Sequence, residues 1–86
     1  MVSMNELISE VSSLKISSEE ISEMLAYAGS NLQDNMHAIA ALVTGSRTGM
    51  EAVSSLGIAS KSILDSAASI KTLVRTCDDC IAQISK

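Results

Sequence analysis

The residues best placed to do chemistry are two thiols three positions apart, Cys77-Asp78-Asp79-Cys80, which have the spacing of a disulfide-exchange pair or half of a metal site. A zinc site normally takes two further ligands, yet the chain holds one histidine, His37, and no second cysteine pair. A reactive thiol needs a helix N-terminus or a nearby base to lower its pKa, whereas these two sit beside two acids near the end of a helical pattern. The cysteines therefore read as helix-packing residues, with an intermolecular disulfide or regulated thiol as the alternative. His37 has Asp34 one turn before it but no nucleophile in reach, and it reads as a residue of a solvated helix face. The acids Glu19, Glu20 and Glu23 are spread by helical spacing and suit the electrostatics of a helix start. No catalytic, cofactor or metal site is expected, and the chain does not read as an enzyme.

What remains is the pattern that would position such residues, and it is helical throughout. Hydrophobic residues make up 47% of the 86 positions, Tyr27 is the single aromatic and proline is absent, so nothing interrupts a backbone hydrogen-bond ladder. Leu7, Val11, Leu14, Ser18, Ile21, Leu25, Ala28, Leu32, Asn35, Ile39 and Leu42 alternate spacings of four and three, and nine of these eleven are apolar. Strand periodicity would demand apolar residues at every second position, which this segment lacks. Val53, Leu56, Ser60, Ile63, Ala67, Ile70, Val74, Cys77, Ile81 and Ile84 repeat the arrangement in the second half. The expected fold is all-α, an antiparallel two-helix hairpin forming one domain over 1–86, with helices at about 4–43 and 50–84 and a turn at 44–49.

Local signals mark the boundaries. Ser3 and Glu6 match a capping box at the first start, Thr48 and Glu51 match one at the second, and Gly45 suits the left-handed residue that ends a helix. Gly45, Thr48 and Gly49 are thus assigned to the turn. Ser17 and Glu20 form a third box, so a bend or break near 15–18 is the alternative to one continuous first helix. Antiparallel pairing places positions whose numbers sum to about 93 side by side, which brings Gly57 near Met36 and sets Tyr27 near Ser66 and Ala67, small residues that make room for its ring. The 16 serines allow neighbouring helices to approach closely while weakening each helix alone.

Two facing helices have almost no interior, so function should lie in association with another chain that completes a helical bundle. Ile8, Met24 and Met36 widen the first apolar stripe and Ile58, Leu64 and Leu73 the second, which makes these six the candidate partner-binding residues. The net charge is −4, split as −5 over residues 1–43, with six acids and Lys15, and +1 over 44–86, with four acids and five bases. Clustered bases and aromatic stacking platforms are both missing, which excludes a nucleic-acid surface. Glu6 and Glu10 fall where a signal peptide would need an apolar core, and no apolar stretch nears the roughly 20 residues of a membrane span. A cytoplasmic protein with a helical protein partner is expected; a homodimeric four-helix bundle is the other reading, and a thiol oxidoreductase a third.

With two amphipathic helices in fewer than a hundred residues, a glycine-containing central turn at Gly45 and Gly49 and no signal peptide, the chain resembles the small WXG-type proteins of bacterial type VII secretion. The resemblance is architectural and covers most of the chain. The Trp-x-Gly turn is replaced by residues 44–49, so the chain is more similar to the small α-helical proteins that accompany LXG toxins, in which that tryptophan is not required. The resemblance implies a targeting factor or chaperone that binds the helical N-terminal region of a toxin and helps present it for export, itself cytoplasmic or leaving by the same route without a cleaved signal. Family export signals place Tyr or Phe four residues before an acid. Val74 and Asp78 keep the spacing without the aromatic, which implies a degenerate signal or one completed by a partner chain.

Overall fold

Serine hydroxyls start both helices. In the computed structural model, which describes residues 2–86, Ser3 Oγ accepts the Glu6 backbone N–H at 3.1 Å and helix α1 runs unbroken over Met4–Leu42. Ser46 Oγ accepts the Gly49 N–H at 3.1 Å and α2 runs over Arg47–Ile84. In each case the side chain satisfies a donor that the first turn leaves without an intrahelical partner. No break appears at 15–18, because Ser18 and Ser22 are claimed by the face toward α2 and α1 stays in phase through the segment.

The turn is shorter than residues 44–49. It closes when the Val43 N–H donates to the Ile39 carbonyl at 3.0 Å and the Ser46 N–H to the Val43 carbonyl at 2.9 Å. Gly45 supplies the left-handed residue, with φ +89°. Thr48 and Gly49 do not belong to the turn: they lie in the first turn of α2, because the cap is Ser46 and not Thr48. A Cβ on Gly49 would collide with the Cβ of Val43. The glycine is there for close approach, not for backbone freedom.

α1 and α2 pack antiparallel along their whole length, and small residues decide where they touch. The buried residues of α1 are Ser18, Ser22 and Gly29, and those of α2 are Ser60, Ala67 and Cys77. Ser22 donates its hydroxyl to the Ala67 carbonyl at 3.0 Å, and Ser60 donates to the Gly29 carbonyl at 2.9 Å. Each helix thus sends one hydroxyl into the backbone of the other, each such bond being worth about 0.5–1.5 kcal/mol net. A Cβ on Gly57 would stand 3.1 Å from the Met36 Sδ, so these two residues do meet across the seam.

The face that α1 turns toward α2 is rotated from the expected one. Val11, Ser18, Leu25, Leu32 and Ile39 lie on it as anticipated, but the alternating positions are Ile8, Lys15, Ser22, Gly29, Met36 and Val43, each one residue after the expected member. Leu7, Leu14, Ile21, Ala28, Asn35 and Leu42 are left exposed. On α2 every expected seam residue, from Val53 to Ile84, is buried or half-buried. Tyr27 is also displaced: it is 72% exposed, on the outer side of α1, and its ring is not housed by Ser66 and Ala67.

The hairpin measures 63 × 19 × 13 Å and exposes 6095 Å², against about 4,900 Å² for a compact monomer of its mass. Among the described residues, the buried apolar ones are Ala67 and Cys77. About 1,200 Å² of surface is thus in excess, the consequence of one helical layer without a second to cover it.

Candidate functional site

The seam separates two unlike flanks, which follow from single-residue steps along each helix. Successive helical residues are turned by about 100°, so Ile21 and Glu23 lie on opposite sides of the seam residue Ser22, as Leu73 and Arg75 do around Val74. An open groove of about 400 Å³ is lined by Glu19, Ser22, Glu23, Lys71, Val74 and Arg75. It gathers the charged members of both sets on one flank. Ile21 and Leu73 therefore share the other.

On the charged flank, two carboxylates one turn apart on α1 face two cations one turn apart on α2, above a floor of Val74 and Ser22. Among the described residues no ion pair within 4.0 Å closes across that groove. The helices are tied by charge at its end, where Lys15 Nζ lies 2.7 Å from Asp78 Oδ1 and 3.8 Å from Glu19 Oε1. The hydrogen bond from Lys15 to Asp78, then the charge of Asp78, raises the lysine pKa, with smaller help from Glu19 against a modest cost of desolvation. Asp78 is thus committed to α1 and Val74 faces the groove floor, so the spaced pair does not stand outward as a unit.

The raised pKa has a signed consequence. A lysine held above its unfolded value contributes stability that is complete below about pH 10.5 and is lost as pH rises through the folded value. Lys15→Met should therefore melt like the parent at neutral pH, where an apolar side chain also suits a seam position, and show a flatter decline between pH 10 and 12. Thermal melts across that range check it. Equal alkaline slopes in the two proteins would mean that the pair contributes nothing. Lys61, raised in the same way by Asp65 within α2, is common to both and cancels.

On the other flank the apolar side chains cluster at the end remote from the turn. Leu14 is 49% exposed, Ile21 47% and Met24 70%. Leu7 and Leu73 are also open, and Cys80 is half-buried beside them. Nearer the turn the same rows carry Ala28, Asn35, Ala52 and Ala59, and only Leu42 is large. A contiguous apolar patch rimmed by polar groups is what a protein-docking surface looks like. The outward row of α2 on this side, Ser55, Ser62, Ser69, Thr76 and Gln83, is entirely polar. The open apolar surface therefore belongs mainly to α1.

Comparison with known protein families, curated proteins and solved structures finds no match. The reading of the surface consequently rests on its own chemistry.

The six candidate partner residues fall into two groups. Met24, Ile58 and Leu73 are exposed, with Met24 and Leu73 bordering the apolar flank and Ile58 facing directly away from α1. Ile8, Met36 and Leu64 are half-buried in the hairpin's own seam, Met36 against Gly57 and Leu64 against Gly29. Leu7, Leu14 and Ile21, assigned to the seam by their spacing, are the outward residues instead. Cys77 is buried at a seam position and Cys80 half-buried, both as free thiols. Among the described residues, no three His, Cys, Asp or Glu side chains form a metal-holding group and no helix is long and apolar enough to cross a membrane.

Proposed function

We propose that this chain is a noncatalytic adaptor that binds the helical N-terminal region of a type VII-secreted LXG-type toxin and promotes its export. The observation that carries the reading is the apolar flank of Leu7, Leu14, Ile21 and Leu73, left open by a hairpin whose own seam is already complete. Such a surface suits helix-on-helix association, in which the partner supplies the missing layer. The excess surface is of the right size. Specific interfaces bury about 800 Å² per partner, and about 1,200 Å² stands open beyond that of a compact monomer.

Under this reading the toxin's helical region co-purifies with the chain when the two are co-expressed, and secretion of the toxin falls when the chain is withdrawn. Binding should also raise the melting temperature of the hairpin. A ligand present at a hundred times its Kd stabilises by about 2.7 kcal/mol, equivalent to roughly 10–20 °C in a domain of this size. A chain that stays monomeric beside every such toxin region, and whose loss leaves export unchanged, would refute the assignment.

A further inference from the structure

We infer that the apolar flank takes one amphipathic helix with basic residues along the edge of its apolar stripe that lies over α1, laid in the crease between α1 and α2 at the end remote from the turn. The inference rests on the adaptor reading and specifies the chemistry of the partner at that surface. Its length comes from the patch: Leu7 to Met24 spans about 25 Å of helix, which one partner helix of about 18–20 residues covers.

Its charge comes from the rim. Glu6, Glu10 and Glu20 of α1 stand exposed along the outer side of the patch, and the bases of the chain are elsewhere. Lys15 is joined to Asp78, while Arg47 and Lys61 are paired with Glu51 and Asp65 toward the turn. Lys71 and Arg75 line the opposite groove, and Lys86 follows the end of α2. An acidic edge along the α1 side of an apolar patch selects a partner with an apolar stripe and a cationic edge, since complementary rims speed encounter and like charges repel wrong partners. The same rim disfavours a second copy of this chain, because a two-fold packing would gather Glu6, Glu10 and Glu20 of both copies along one seam.

Two synthetic 21-residue helical peptides with identical leucine stripes, one edged by lysines and one by glutamates, test the inference against the full chain by calorimetry at low and high salt. The lysine-edged peptide should bind about tenfold more tightly, the effect of a few rim ion pairs, and the preference should shrink between 0.05 and 0.5 M salt, concentrations of order a Debye length of 14 down to 4 Å. Ile21→Asp should abolish binding of both peptides while circular dichroism stays helical, and Lys71→Glu with Arg75→Glu should not weaken it. Glu10→Lys with Glu20→Lys should reverse the preference without touching the apolar patch.

Equal affinity for the two peptides, a preference for the glutamate edge, binding lost on changing Lys71 and Arg75 but kept in Ile21→Asp, or a concentration-independent dimer that refuses both peptides would each overturn the inference. The toxin reading is judged separately. Peptide selectivity without toxin binding would sink the adaptor assignment alone, and toxin binding that survives Ile21→Asp would sink the docking site alone.

Discussion

Gly29→Val should lower the melting temperature of the hairpin by about 10–20 °C, through a loss of about 2–3 kcal/mol. Gly29 is a point of close approach between the two helices. A Cβ placed there would stand 2.8 Å from both Cγ and Cδ2 of Leu64 and 3.4 Å from Cγ2 of Ile63. Leu64 Cγ moves only with χ1, so either the whole side chain leaves its seam rotamer or α1 moves away from α2. That movement would also stretch the hydrogen bond from Ser60 to the Gly29 carbonyl, now 2.9 Å. Replacing glycine gains helix propensity, about 1 kcal/mol for alanine and less for a β-branched residue. Gly29→Ala should accordingly fall between the parent and valine. Thermal melts followed by circular dichroism decide the order. The coupling to Leu64 can be isolated, because Leu64→Ala opens a space that the valine methyls refill, and the double variant should be more stable than additivity allows. A valine variant that melts with the parent would mean that the helices stand farther apart than this geometry requires.

The same contact explains which parts of the fold were legible in the sequence. α2 has one continuous apolar face and a polar outer row, so its periodicity could identify only one seam, and Val53 to Ile84 lie where that periodicity puts them. α1 offers two competing rows. One carries Leu7, Leu14, Ile21 and Leu42, and the other Lys15, Ser22 and Gly29, which look like interruptions when position is scored by hydrophobicity. The second row wins because close helix packing rewards small side chains that let the backbones meet, and because Ser22 and Ser60 recover their hydroxyls' hydrogen bonds from the opposite backbone. A signal for this was present: Ser22 and Gly29 on one helix and Ser60 and Ala67 on the other are both pairs of small residues seven apart. Reading small residues as contact markers would have assigned Leu14 and Ile21 to the outer flank, and with them the docking surface. The pairing of Lys15 with Asp78 was visible as a position sum of 93, but a lysine at a seam position carries no pattern that separates it from a solvated one.

The turn supplies a second large effect, with a ranking opposite to what its backbone angles suggest. Gly45 is the residue with positive φ, +89°, yet nothing lies within 4 Å of where its Cβ would be. Gly45→Ala therefore costs only the left-handed conformation, roughly 1–2 kcal/mol, and Gly45→Asn less, since asparagine visits that region through local hydrogen bonds. Gly49 has an ordinary helical backbone, but its Cβ would meet Val43 at the Cβ itself. That atom is fixed to the backbone and cannot rotate aside, so Gly49→Val must push the end of α1 from the start of α2, at a cost near the upper end of the 1–3 kcal/mol typical of overpacking. Urea unfolding of the three variants should rank Gly49→Val as the least stable, then Gly45→Ala, then Gly45→Asn. Val43→Ala should restore part of what Gly49→Ala loses, while leaving Gly45→Ala unimproved. The Gly49 contact lies where the chain reverses, so it also sets the register that places Ser22 under Ala67 and Lys15 beside Asp78. Gly49→Val should therefore lose the extra alkaline sensitivity that Lys15 confers, which Gly45→Ala should keep. If Gly45→Ala proved the more damaging, the hairpin would be governed by the conformation of its turn and not by the contact beneath it.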